Sequence, residues 1–283
     1  MLKTCQFHCH LLLIWIMITS PVFALEPPPG LIWSQKSLPI LDFIQTNNGE
    51  MWSIGPFQDT LNVGRYTLIS QDAWDVVILH MDSECNVIQA YTFGGLDDDE
   101  GHHICLAPDS GLIIAGRFES TLTFNNQTYQ NESGHDLFIG KLSPQGEEEW
   151  MKVIPGSGSS RINGIDVGAS GHIGIAGYTS GTLTFQSDTI TVPFEYMTAG
   201  FVAEFDASGR ELWALELYGG GLEYGSDVAI NASGQCYATG SIGAEIQIGP
   251  HSMTPPGLTD GFLLKMTADG RVCWARSLGI VWW

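Results

Sequence analysis

Apolar and polar positions alternate along most of the chain in short runs. Gly200 to Asp206 (GFVAEFD), Arg210 to Leu217 (RELWALEL), Asp227 to Asn231 (DVAIN) and Gln235 to Ile242 (QCYATGSI) are of this kind. Alternation over four to eight residues is the period of a half-buried strand. Ala207-Ser208-Gly209 and Ala232-Ser233-Gly234 separate these runs, and small, glycine-containing triplets suit tight hairpin turns. Beyond residue 24 no segment keeps a 3.6-residue apolar period between caps, so the chain is predicted to be all-β. The first 24 residues read differently. Lys3 precedes a short apolar core, Leu11 to Ile18 (LLLIWIMI), and Val22-Phe23-Ala24 ends on a small residue. That is the layout of a cleaved secretory leader, with a core too short to span a membrane. Cys9 lies ahead of the apolar core, where it does not read as a lipid-attachment site. No later stretch is apolar enough to cross a bilayer, so the expected product is exported, with no membrane span after cleavage.

The strand pattern recurs at about sixty residues. AGFVAEFDASGRELWALELYGG begins at Ala199, HDLFIGKLSPQGEEEWMKVIPG at His135, WDVVILHMDSECNVIQAYTFGG at Trp74 and DGFLLKMTADGRVCWARSLG at Asp260. Trp150, Trp213 and Trp274 take matching places, 63 and 61 residues apart, and Gln89 takes the place 61 before Trp150. Trp33 marks the tail of a still earlier unit. The run DVAINASGQCYATGS completes the pattern.

These motifs resemble the SBBP-type beta-propeller repeat of secreted and surface bacterial proteins, over roughly residues 31–279. The resemblance implies a β-propeller of four-stranded antiparallel blades, with about four complete blades and an extra N-terminal strand. The blades are expected at 40–91, 101–153, 162–216 and 225–276, within a repeat domain spanning 25–283. The repeated tryptophans, Trp33, Trp150, Trp213 and Trp274, would then be wedges between blades, since one indole buries roughly 200 Å². Gln89 would leave its blade contact looser. The strand Gly111 to Gly116 reads as one residue shorter than its counterpart Gly234 to Gly240. Two readings of the C-terminus stay open: a product cut from a longer ring, or a compact four-blade ring closed by the Trp33 strand. The family implied carries no catalytic motif.

Composition narrows the partners. The chain has 283 residues, 31 acidic against 11 basic, and a formal charge of −20. Losing the leader removes Lys3 and no acid, which takes the charge to −21. Such a surface lacks the positive face that nucleic acid requires and favours a basic partner. The 34 glycines agree with many turns. Four cysteines remain beyond the leader, Cys85, Cys105, Cys236 and Cys273. None stands in a C-x-x-C pair, so they read as disulfides or as inert thiols.

Candidate chemistry is sparse. Asp97, Asp98, Asp99 and Glu100 form the densest acidic run and are the candidates for calcium, a hard cation that takes carboxylate oxygen. They lack the alternating ligands of an EF-hand loop, and a solvated acidic turn is the reading preferred here. No transition-metal site is expected: His102 and His103 are neighbours on a strand and point to opposite faces. His80, His135, His172 and His251 fall at unrelated places and read as structural or surface residues. Gly156-Ser157-Gly158-Ser159 is a turn, with neither a nucleophile elbow nor a phosphate-loop lysine. Asn126, Asn131 and Asn231 begin sequons that read as chance matches. Phe205 to Trp213 (FDASGRELW) is similar to the tryptophan docking motif of quinoprotein dehydrogenases. That likeness implies pyrroloquinoline quinone, calcium and adjacent cysteines, and the chain has no adjacent cysteines. The functional expectation is an exported, non-catalytic surface scaffold that binds protein or glycan and needs no cofactor. A propeller enzyme of the quinoprotein or lyase type is the alternative.

Overall fold

The structure, a computed structural model, describes residues 40–194 and 196–279. The expected leader and Trp33 lie outside the described residues. The all-β expectation holds: among the described residues twenty-two strands pair antiparallel into seven small sheets, four of four strands and three of two.

The first sheet has the order β1 (Asp42–Gln45), β2 (Met51–Val63), β3 (Tyr66–Met81), β4 (Val87–Phe93). The second contains β5 (Asp99–Leu106) and β6 (Leu112–Phe118). A small hairpin, β7 (Thr121–Phe124) with β8 (Gln127–Gln130), interrupts it before β9 (Asp136–Leu142) and β10 (Glu148–Ile154). The third repeats this order as β11 (Ser160–Val167), β12 (Ile173–Thr179), hairpin β13 (Thr182–Thr184) with β14 (Thr189–Thr191), β15 (Ala199–Phe205) and β16 (Glu211–Leu217). The fourth follows as β17 (Tyr224–Ile230), β18 (Cys236–Ile242), hairpin β19 (Ile246–Ile248) with β20 (His251–Met253), β21 (Asp260–Met266) and β22 (Val272–Ser277).

Flat faces bury one another in series. Trp52, Ile54 and Ile78 of the first sheet share a core with Ile104, Ile114 and Phe138 of the second. Cys105, Ile113 and Ile139 meet Ile165, Ile175 and Phe201 of the third, and Ala176, Val202 and Trp213 meet Val228, Ala238 and Leu264 of the fourth. Polar groups tie the first strands of successive sheets together. Ile104 N–H donates to Asp42 Oδ2 at 3.1 Å, and Ile230 N–H donates to Asp166 Oδ2 at 2.6 Å. Three strands, β5, β11 and β17, carry a bulge opposite Gly116, Gly177 and Gly240. A Cβ on these glycines would stand 2.0, 2.1 and 1.9 Å from the carbonyl oxygens of Glu100, Arg161 and Tyr224, so no larger residue fits.

The β-propeller is not what the chain forms, and this corrects the expected fold. None of the seven sheets closes into a barrel or curls as a propeller requires. Extended strand packing runs from the first sheet to the second, from the second to the third and from the third to the fourth, and among the described residues none joins the fourth to the first. The physical reason lies at the two ends. In the first sheet, β2 and β3 run on into one long hairpin with Asp59 at a left-handed φ of 63° in its bend. Its tip, through Leu61, Val63, Tyr66 and Leu68, folds over Val77, Leu79 and Met81 and covers the face another sheet would need. The Tyr66 hydroxyl donates to Ile88 O at 2.7 Å and pins the tip down. At the other end, the outward face of the fourth sheet carries no packed strand among the described residues.

A smaller expectation also changes. The strand after Ala107-Pro108-Asp109 is not short: β6 and β18 both have seven residues. Ser110, at φ 68°, occupies the left-handed turn position that Gly234 fills at φ 75°, so the two turns match residue for residue and the strands that follow them are equally long.

Candidate functional site

Each seam between sheets is closed at its outer rim by one aromatic ring lying on the turn of the next sheet. The Trp150 ring covers the turn at Gly209, and Trp213 covers Gly270; a Cβ on either glycine would come within 2.7 Å of the indole. Both glycines have positive φ, 75° and 79°, so the turn demands glycine twice over, for conformation and for space. Cross-strand register places Trp150 opposite Lys141, Trp213 opposite Glu204, Trp274 opposite Lys265 and Gln89 opposite His80. Gln89 therefore does hold the tryptophan position. The wedge in its seam is Tyr91, two residues on and on the same face. Tyr91 stands over Gly146, and its hydroxyl donates to Gln145 O at 2.6 Å, with Gln89 Oε1 2.9 Å away as the alternative acceptor. Trp52 stacks on His80 at 4.0 Å behind it. Sequence reasoning missed Tyr91 because it is out of step with the tryptophans. Register alone reveals the replacement.

The exchange of indole for phenol leaves a groove. Between the first and second sheets a cavity of about 480 Å³ is lined by Tyr91, Phe93, Phe124, Asn125, Glu147 and Glu148, with Ile78 and Leu142 in its floor. Between the second and third sheets the corresponding cavity is about 270 Å³, lined by Lys152, Ile154, Phe185, Gln186, Phe205 and Glu211. Phe124 and Phe185 occupy equivalent places on the small hairpins, as do Glu148 and Glu211 at the start of the fourth strands. Glu211 is committed to structure: its carboxylate accepts Gln186 N–H at 2.6 Å and Ser187 N–H at 2.9 Å. Glu148 is held above the usual carboxylate range by burial, with only the Asn125 backbone amide working against that. A cation entering the larger groove would relieve this desolvation.

The acidic run beside this seam does not converge. Asp97 takes the Ser120 hydroxyl from an exposed turn at φ 67°, and Asp98 Oδ1 accepts Trp74 N–H at 3.4 Å. Asp99 is fully buried, and its Oδ2 accepts Gly95 N–H at 2.6 Å. Burial, reinforced by Asp75, Asp98 and Asp97, pushes its carboxyl up to about 9, so it keeps its proton at neutral pH. Glu100 faces elsewhere, hydrogen-bonded to His102 Nε2 at 2.8 Å and paired with Arg117 at 2.9 Å, which hold it down at about 2. Burial lowers His102 to about 4. His103 spans to Ile162 O at 3.2 Å and to Asp42 at 3.6 Å. Among the described residues no group of three or more His, Cys, Asp or Glu side chains is arranged to hold a metal.

Carboxylates instead serve the connections between sheets. Gly95 N–H donates to Asp99, Gly156 N–H to Asp136 at 2.7 Å and Gly221 N–H to Glu223 at 3.2 Å. One buried acid thus fastens each linking loop, and the first seam holds a second, Asp75. In sequence these acids look unrelated, since they sit before different strands.

The remaining candidates have local roles. Cys85 and Cys273 are exposed free thiols, Cys105 and Cys236 buried ones, and burial pushes Cys236 up to about 12. In FDASGRELW, Asp206 accepts the backbone amides of Ser208 and Arg210 at 2.9 and 3.1 Å and shapes the turn that Trp150 covers. Asn131 and Asn231 spend their side chains on their own turns, while Asn126 lies exposed at φ 58° on the β7–β8 hairpin.

Taken together, the described residues form an all-β chain of serially packed antiparallel sheets with a groove at its first seam. No family model matches the chain, so the resemblance to secreted bacterial SBBP repeats is not upheld. The chain is similar to an uncharacterized WD repeat-containing protein of Acanthamoeba polyphaga mimivirus, 29% identical over 179 residues. That match covers 50% of this chain and 13% of the viral protein. No helix among the described residues is long and apolar enough to cross a membrane.

Proposed function

We propose that this chain is a non-catalytic binding scaffold whose ligand is a cationic segment of another protein, held in the groove between the first and second sheets. The observation that carries this reading is the pairing of Glu147 and the burial-strained Glu148 with Tyr91, Phe93 and Phe124 in one cavity of about 480 Å³. Aromatic walls accept the aliphatic stems of lysine or arginine, and the acids at the rim receive the charged heads. A net charge of −20 adds long-range attraction for such a segment.

Calorimetric titration with a short lysine- and arginine-rich peptide, beside a neutral oligosaccharide, tests the proposal. Saturable heat with the peptide, weakening as salt rises, is the expected result. Heat from the oligosaccharide alone would transfer the groove to a glycan, and silence from both would end the reading.

A further inference from the structure

Two positions recur where each sheet hands the chain to the next. Cross-strand register places Asp75 of β3, Asp136 of β9 and Ala199 of β15 at the first. It places Asp99, Ser160 and Glu223, at the entries of β5, β11 and β17, at the second. At the second seam an acid is matched with a hydroxyl: Asp136 accepts Gly156 N–H, and Ser160 donates to Thr179 Oγ1 at 2.9 Å. At the third, Glu223 is matched with Ala199 and accepts Gly221 N–H. Of the three seams, the first alone carries an acid at both positions, Asp75 and Asp99, which are 2% and 0% exposed.

The first linker does not satisfy both acids. Gly95 N–H goes to Asp99 Oδ2 at 2.6 Å, and Asp75 Oδ2 accepts Gln71 N–H at 3.0 Å. Asp75 Oδ1 and Asp99 Oδ1 are buried and accept from no donor. The two carboxyls meet beside Gly94, where a Cβ would stand 2.4 Å from Asp75 Oδ1 and 2.9 Å from Asp99 Oδ2. The surroundings supply no base. Asp97 and Asp98, on the preceding turn, add negative charge. Phe57 of β2 and Phe118 of β6 stand opposite Asp75 and Asp99 in register. Asp136 of β9 lies on the far side of Phe118 and is bound to Gly156. Arg117 of β6 pairs with Glu100, and His135, ahead of β9, pairs with Glu119. Two buried carboxyls in contact do not both ionise.

We propose that Asp75 and Asp99 bind one proton between them and that this shared proton fastens the first linker. One carboxyl O–H donates to the other's carboxylate, so the pair supplies the donor that its surroundings lack and carries a single charge. The pair takes the proton from solvent on folding and returns it above its upper titration step. The linker so held carries the join to the small hairpin. Gly94 O accepts Thr123 N–H at 3.0 Å, and a Cβ on Gly95 would stand 2.0 Å from Thr121 O.

Carbon-13 titration of the side-chain carboxyls in the whole chain tests the sharing, with each Cγ signal assigned through its own backbone amide. Both signals should move together at each of two common pH steps, with one proton held between those steps. Between about pH 7 and about pH 9 the wild type should lose about tenfold in folding constant per pH unit relative to Asp75→Asn or Asp99→Asn, because the folded pair keeps a proton that unfolded aspartates release. The double variant should show no further change of slope, since either asparagine amide can donate to the remaining carboxylate. Above the upper step the Thr123 amide should exchange faster in the wild type than in either variant. An Asp99 signal that titrates alone, with Asp75 already fully charged, overturns the sharing, and the wild-type titration gives that answer even if a variant fails to fold. A slope removed by Asp99→Asn and untouched by Asp75→Asn overturns it as well. Added calcium that shifts both signals at neutral pH would assign the pair to a metal instead.

Discussion

The first and second seams of this molecule are built from the same parts and end differently. Both place an aromatic ring on the turn of the following sheet, a phenylalanine on a small hairpin, and a glutamate at the start of the fourth strand. At the second seam the ring is Trp150, the glutamate is bound to the hairpin backbone, and about 270 Å³ remains. At the first, Tyr91 is the ring, Glu148 is strained by burial, and about 480 Å³ remains. One pattern thus supplies a structural joint in one place and a candidate binding groove in another. The difference comes from how a few side chains are satisfied rather than from backbone topology.

The largest expected effect tests the joint itself. Trp150→Ala should cost about 3 kcal/mol, because it removes the ring from the closed seam and leaves a void that cannot collapse. Chemical denaturation with an unchanged m-value checks this. If the loss stays below about 1 kcal/mol, within the range of ordinary surface substitutions, the joint does not depend on the ring. Gly209→Ala follows at about 2 kcal/mol, since it combines positive φ with a clash against the indole.

Proton linkage separates the seams next. Asp99 and Asp136 both have folded values above the ordinary carboxylate range, about 9 and about 6, through burial. Each takes up a proton on folding, so stability falls as pH rises from about 4 through those values. Asp99→Asn should therefore raise the melting temperature at pH 8 and do progressively less toward pH 4. Asp136→Asn should show the same trend with its rise complete by about pH 6. A benefit of Asp99→Asn that grows toward acid would refute the assignment.

The smallest effects bear on Tyr91 and the glutamates. Tyr91→Phe should cost about 1 kcal/mol for the lost hydrogen bond, and Glu211→Gln a similar amount. Glu148→Gln should be neutral or slightly stabilising, because it relieves a buried charge. Gln89→Trp reports on space beside Tyr91: stabilisation means that the indole can share the groove, and clear destabilisation means that Tyr91 already fills the wedge position.

Much of the strand order was legible in the chain. Two-residue alternation around Gly200–Leu217 and Asp227–Ile242 located β15 to β18 closely, because one-sided burial writes itself directly into a strand. The closure of the sheets was not legible. Whether a face is covered depends on how the tip around Leu61 to Leu68 folds back, a tertiary event with no local periodicity. Ser110 hid its turn by standing where glycine is usual, and Tyr91 hid its role by a two-residue offset. The acids of the candidate calcium run adjoin in sequence yet diverge in space, since strand and turn geometry sends Asp97, Asp99 and Glu100 toward different partners. The groove was invisible for a related reason: its walls come from β4, the β7–β8 hairpin and the β9–β10 turn.

The most direct measurement compares the two grooves with one ligand. The affinity of a lysine- and arginine-rich peptide is determined for the wild type, for the Glu147→Gln/Glu148→Gln double variant and for Glu211→Gln. The account predicts at least a tenfold loss in the double variant and unchanged affinity in Glu211→Gln. Equal affinity in all three, or a loss confined to Glu211→Gln, would contradict it.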